Sequence, residues 1–181
     1  MREGVAKLLQ IAELGHPVLR KKALPVLDVQ DNNIQQLIDN LMATVVEVNG
    51  VGIAAPQVYE SYQIFIIASY PNLRYPNAPK MDPQAIINPR IISHSDERIK
   101  DWEGCLSIPG IRGLVPRYRS IGVEYTSRDG KKEEKEFTDF IARIFQHEYD
   151  HLNGIVFLDR LESVKDIVTE KEYRKLIFKN E

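Results

Sequence analysis

The chain of 181 residues has little of several things that usually announce a function. It has one cysteine, so no internal disulfide can form, and the composition permits a reducing compartment. Its formal net charge is only −2, and no cluster of basic residues interleaves with aromatics, which removes the electrostatic footprint of a nucleic-acid binder. No apolar run approaches the roughly 20 residues needed to span a bilayer. The opening MREGVAKLLQIAELG mixes charged and apolar residues and lacks the apolar core of a signal peptide. These absences predict a soluble, cytoplasmic protein with no membrane contact. No internal repeat, low-complexity tract or linker divides the chain, so a single domain over residues 1–181 is expected.

Histidine is scarce as well, four in all, yet two of the four stand four positions apart in FQHEYDHLNG, residues 145–154. On a helix, residues i and i+4 share a face with Cβ atoms roughly 5–6 Å apart, so His147 and His151 can converge on one metal ion. Glu148 projects beside such an ion, where a base that takes a proton from water belongs. The bland alternative is the polar edge of an ordinary helix. Context favours the metal: Thr138 or Asp139 can cap a helix burying Phe140, Ile141, Ile144 and His151, with Gly154 just past its end.

Elsewhere, apolar residues at Ile34, Leu37, Ile38, Leu41, Met42 and Val45 predict a helix from Asp31 to Asn49, stopped by Gly50. The runs around residues 62–69 and 84–93 read as strands, separated by a proline-rich loop. IGVEYTS and KKEEKEF flank Asp129-Gly130, a hairpin signal whose polar second strand faces water. TEKE at Thr169 fits a capping box for a last helix carrying Tyr173, Leu176 and Ile177 inward. Antiparallel strands between a long helix and a metal-bearing helix make an α+β fold.

Two histidines do not complete a catalytic metal site, which usually has three protein ligands and an open position. Three downstream carboxylates, Asp159, Glu162 and Glu170, would give a zincin-type metallopeptidase, and four closed ligands a non-catalytic metal-binding module. The sole cysteine, in WEGCLSIPG, is another candidate, although a solitary cysteine is more often a small buried hydrophobe. A third stretch, NGVGIAAPQV, places small residues after the first helix and presents the Gln57 amide at the end of the run.

Taken together, GVGIAAPQ at 50–57, EGCLS at 103–107 and HEYDH at 147–151 resemble the three ordered motifs of the peptide deformylases, GxGxAAxQ, EGCLS and HExDH. GHPVLR near residue 15, SIPGIRGLVPR through residue 117 and HLNG extend the resemblance over most of the chain. It implies a deformylase-like fold, antiparallel sheets around the metal-binding helix, and hydrolysis of the N-formyl group of N-formylmethionyl nascent peptides at the ribosome exit. It implies Cys105, His147 and His151 as metal ligands, Fe(2+) as the metal with Zn(2+) or Ni(2+) able to substitute, and Glu148 as the base. Gln57 and the Leu106 backbone N–H would stabilise the oxyanion. Gly50, Val51, Gly52 and Ile53 would meet the peptide, with Ile53, Phe140 and Ile144 as apolar candidates near the methionine pocket. Glu103, Arg117 and Asp150 would steady the surroundings of the metal. The tail ESVKDIVTEKEYRKL and Arg143, near the pocket where many members have an apolar residue, depart from the family pattern and are expected to stay clear of the chemistry.

Overall fold

The computed structural model describes residues 6–72 and 75–178, so part of the expected 69–83 loop and the chain ends lie outside the described residues. Helix α1 (Asn32–Glu47) starts where Asp31 accepts the Asn33 and Ile34 N–H groups at 2.8 and 3.2 Å. It stops two residues before the expected Asn49, which takes a left-handed φ of 51°. Asparagine tolerates that conformation because its short side chain can bond locally.

Strands β1 (Gly52–Ala54), β2 (Ile64–Ser69) and β3 (Met81–His94) follow, then β4 (Arg98–Cys105) and β5 (Ile108–Tyr118). The hairpin β6 (Ser120–Thr126) and β7 (Lys132–Thr138) leads into α2 (Asp139–Leu152), and the short β8 (Ile167–Thr169) into α3 (Glu170–Phe178). The strands form a five-stranded sheet in the order β1-β2-β3-β6-β7 and a three-stranded sheet in the order β4-β5-β8, with all named pairs antiparallel. The α+β expectation holds.

β2 explains the layering. Ile64 and Ile66 face α1 and pack with Ile38, Leu41 and Val45, whereas Phe65 and Ile67 face α2 and pack with Ala142, Phe145 and Leu152. A strand covered on both faces needs a continuous apolar run, and IFIIA is one. Phe65 and Phe145 meet edge to face with centroids 5.1 Å apart. The opposite side of α2 turns toward the three-stranded sheet. Its Gln146 carboxamide accepts the Tyr118 N–H at 3.0 Å and donates to the Tyr118 carbonyl at 2.9 Å, clasping the helix to the end of β5.

Two local expectations need correction. Thr138 is the residue before α2, but its hydroxyl makes no capping bond, and Asp139 sits at a φ of 51°. Leu176 faces water, while Tyr173 is buried as expected. The Thr169 hydroxyl does accept the Glu172 N–H at 3.3 Å.

Candidate metal centre and cleft

The HExxH spacing places His147 and His151 on one face of α2 with ring centroids 5.1 Å apart. Cys105 ends β4 across from that face, and its Sγ lies 3.3 Å from His151 Nε2. One ligand atom from each of Cys105, His147 and His151 lies within 4.8 Å of the others, and among the described residues no other group of three such side chains converges in this way. A thiolate and two imidazoles so gathered fit one first-row divalent ion, with room for a further ligand.

The downstream carboxylates do not compete. Asp159 pairs with Arg20, Glu162 with Lys100 and Glu170 with Arg112. The zincin alternative therefore loses its third ligand.

Behind His147 lies a sealed ionic network. The ring donates from Nδ1 to Glu103 at 2.9 Å, which leaves Nε2 for the metal position. Arg117 grips the same carboxylate through Nε at 2.9 Å and Nη2 at 3.0 Å, and its Nη1 donates to Asp150 at 2.6 Å. Asp150 in turn accepts Arg160. Burial alone would push the Glu103 carboxyl up, but the Arg117 guanidinium and the His147 ring overcome it and hold the group well below the usual carboxylate range. Arg143 joins in, donating to Glu103 at 2.8 Å and to the carbonyls of Val115 and Ile99 at 2.8 and 2.6 Å. Arg143, expected near the pocket, is thus one bond from the partner of His147.

Glu148 is buried, and its Oε2 has no hydrogen-bond partner. Burial pushes its carboxyl up to about 7. A cation at the three ligands would favour the ionised form. The carboxylate has room only because Gly52 lacks a side chain: a Cβ there would lie 2.8 Å from Glu148 Cδ and 2.9 Å from Cγ.

Gln57 is oriented by the backbone three residues before it. Its Oε1 accepts the Ala54 N–H at 2.8 Å, which turns Nε2 toward Cys105 Sγ at 3.5 Å and Ser107 Oγ at 3.2 Å. An open cleft runs past Gln57 and Cys105, lined by Gly50, Val51, Gly52, Leu106, Phe140 and Ile144 among others. Ile53 is different. On a strand its side chain points opposite to Gly52, and it packs into the α1 core away from the cleft. Tyr75, Trp102 and Arg112 also line the cleft and were not singled out from the sequence. Tyr75 sits in a proline-rich loop without periodicity, and Arg112 lies in SIPGIRGLVPR, where glycine and proline hide any alternation.

Two antiparallel sheets around a helix that offers two histidines and a glutamate to a thiolate, at the head of a cleft, define a metal-dependent hydrolase. The chain belongs to the polypeptide deformylase family, whose model matches residues 8–166. It is 59% identical over 174 residues to peptide deformylase 2 of Nostoc sp., covering 96% of this chain and 97% of that protein. It is 47% identical over 160 residues to peptide deformylase 2 of Shewanella oneidensis, covering 88% of each. Its fold is similar to the crystal structure of a class I type b peptide deformylase from Acinetobacter baumannii with Met-Ala-Ser bound, at a TM-score of 0.85 and 45% identity, covering 87% of this chain and 100% of that one. The family is metal-dependent and removes the N-formyl group of nascent peptides, and this chain is an enzyme of that kind.

Proposed function

We propose that this chain, as one domain over residues 1–181, deformylates N-formylmethionyl peptides in the cytoplasm as they leave the ribosome, with Cys105, His147 and His151 holding Fe(2+). The observation that carries the reading is the convergence of these three ligand atoms within 4.8 Å beside Glu148, whose buried Oε2 has no hydrogen-bond partner. Among the described residues no helix is long and apolar enough to cross a membrane. A thiolate among the ligands suits a soft first-row ion, and zinc or nickel can use the same donors. When bound, the metal would supply Lewis acidity.

The remaining work falls to the protein. Glu148 takes a proton from the attacking water and returns it to the departing peptide nitrogen as the formyl C–N bond breaks. Gln57 Nε2 and the Leu106 N–H donate to the oxyanion, each contributing about 3 kcal/mol in comparable sites. Leu106 directly follows Cys105, so the ligand anchors the donor. β1 is the edge strand of its sheet, so the backbone of Gly50 to Ile53 is where an extended peptide can add. Phe140 and Ile144 form the apolar site for the methionine side chain. The Acinetobacter relative is described with Met-Ala-Ser bound, the peptide that deformylation of formyl-Met-Ala-Ser would leave.

The test is formate release from formyl-Met-Ala-Ser by anaerobically prepared enzyme, with acetyl-Met-Ala-Ser as control. Rapid formate and little acetate are expected. Equal release of both would make the chain a general acylase. Elemental analysis of the same anaerobic sample should find iron, and full activity with zinc alone would contradict the choice of metal.

A further inference from the structure

The C-terminal helix carries none of the motifs, yet its first turn bonds a residue that lines the cleft. Glu170 accepts Arg112 Nε at 2.5 Å and Nη2 at 3.5 Å, while Arg112 Nη1 donates to the Tyr75 hydroxyl at 2.9 Å. The guanidinium carbon lies 5.4 Å from the Tyr75 ring centroid and 5.0 Å from that of Tyr173, so both rings add cation–π attraction. Tyr75 then meets Phe140 with centroids 5.0 Å apart, and Tyr173 meets Trp102 at 5.6 Å. Tyr75, Trp102, Arg112 and Phe140 all line the cleft, and Glu170 and Tyr173 of α3 stand behind them. Contact is close: a Cβ on Gly104, the residue before Cys105, would lie 2.9 Å from Arg112 Cζ.

We propose that Glu170 is a positioning residue for the methionine pocket, holding Arg112 so that Arg112 holds Tyr75 against Phe140, and that α3 thereby sets affinity for the N-terminal side chain without touching substrate. This rests on the assignment of the cleft made above. Arg112 is almost wholly buried, so loss of Glu170 leaves a buried cation without its carboxylate. The guanidinium must then turn toward water or the cleft, and Tyr75 loses the donor that fixes its hydroxyl. The reacting groups, in contrast, take none of their bonds from α3.

The experiment compares wild type with Glu170→Ala, Glu170→Gln and Tyr75→Phe, using Glu172→Ala as control because Glu172 lies on the outer face of α3 and pairs with exposed Lys175. Substrates are formyl-Met-Ala-Ser and formyl-Gly-Ala-Ser, the second having no side chain to place. For Glu170→Ala, KM for the methionyl peptide should rise about tenfold with kcat within about twofold, and KM for the glycyl peptide should move less than about twofold. Glu170→Gln and Tyr75→Phe, both nearly isosteric, should move KM in the same selective direction, which keeps the test open if the alanine variant folds poorly. Trp102 is the chain's only tryptophan, so emission from the metal-free protein reports the wall directly. It should shift in the Glu170 variants and stay put in Glu172→Ala. Unchanged KM and emission in the Glu170 variants would overturn the inference, as would an equal KM rise for both peptides or a matching fall in kcat. Absence of formate release by wild type would overturn it together with the cleft assignment, whereas an active wild type with indifferent Glu170 variants would sink this inference alone.

Discussion

Two guanidinium–carboxylate clusters flank the ligand triad, and they differ in how far water reaches them. In the one behind His147, the Arg117 and Glu103 side chains are 5% and 4% exposed. In the one beside the cleft, Arg112 is 2% exposed but Glu170 is 24% exposed. A sealed pair gains little net stability, because desolvation offsets most of the attraction, but it holds its members in one geometry. That suits the partner of a proposed metal ligand, whose ring must keep one orientation. The half-open pair can yield, which suits a wall that meets a flexible side chain. Similar guanidinium–carboxylate contacts thus carry unequal consequences.

The strongest way to break the comparison is Glu103→Ala. It leaves Arg117 and Arg143 buried without their shared carboxylate and His147 without its acceptor, so unfolding free energy should fall by about 3–5 kcal/mol and bound metal should be lost. Denaturant unfolding and elemental analysis read both. A cost near that of a surface pair would place the network among ordinary ion pairs. Gln57 belongs to neither cluster, its side chain bonding Ala54, Cys105 and Ser107, and Gln57→Ala should lower kcat by roughly 10²–10³ with a smaller change in KM and full metal content. Steady-state kinetics beside elemental analysis would show it, and an effect confined to KM would make Gln57 a binding residue only.

The smallest expected effect concerns the cleft-side pair and pH. Folding lowers the Glu170 pKa below its unfolded value of 4.5: burial works to raise it, and Arg112 then Arg174 more than compensate. A carboxyl shifted downward contributes stability that is full above 4.5 and drains as pH falls through the lower folded value. With partial exposure the contribution is about 1 kcal/mol or less. Wild type minus Glu170→Gln stability should therefore be flat from pH 7 to 5 and shrink toward pH 3. A difference independent of pH would mean the pair contributes through packing alone.

How much of this was legible in the sequence follows from what each residue's position depends on. His147, Glu148 and His151 are fixed relative to one another by a single helix, so spacing alone predicted their grouping. Their union with Cys105 and Gln57 depends on two sheets meeting, and only the resemblance to a family supplied it. β4 and β5 escaped prediction because Gly104, Gly110, Gly113, Pro109 and Pro116 punctuate residues 98–118, hiding the alternation that marks a strand. Ile53 was read as facing substrate because it is apolar and sits in a motif, but strand alternation gives that side to Gly52 and sends Ile53 into the core. Arg143 lies on the helix face of His147 and could have been placed there by its i, i+4 spacing, yet nothing local revealed its partner Glu103, 40 residues away. Glu170 shares that difficulty, with Arg112 lying 58 residues earlier.

The central claim is that three side chains hold the metal while Glu148, buried beside them, moves the proton. Glu148→Ala tests it most directly, with metal per chain and formate release from formyl-Met-Ala-Ser measured on one anaerobic sample. The account predicts one metal ion per chain, as in wild type, and a loss of formate release by at least roughly 10³-fold. Loss of the metal, or deformylation within tenfold of wild type, would contradict it.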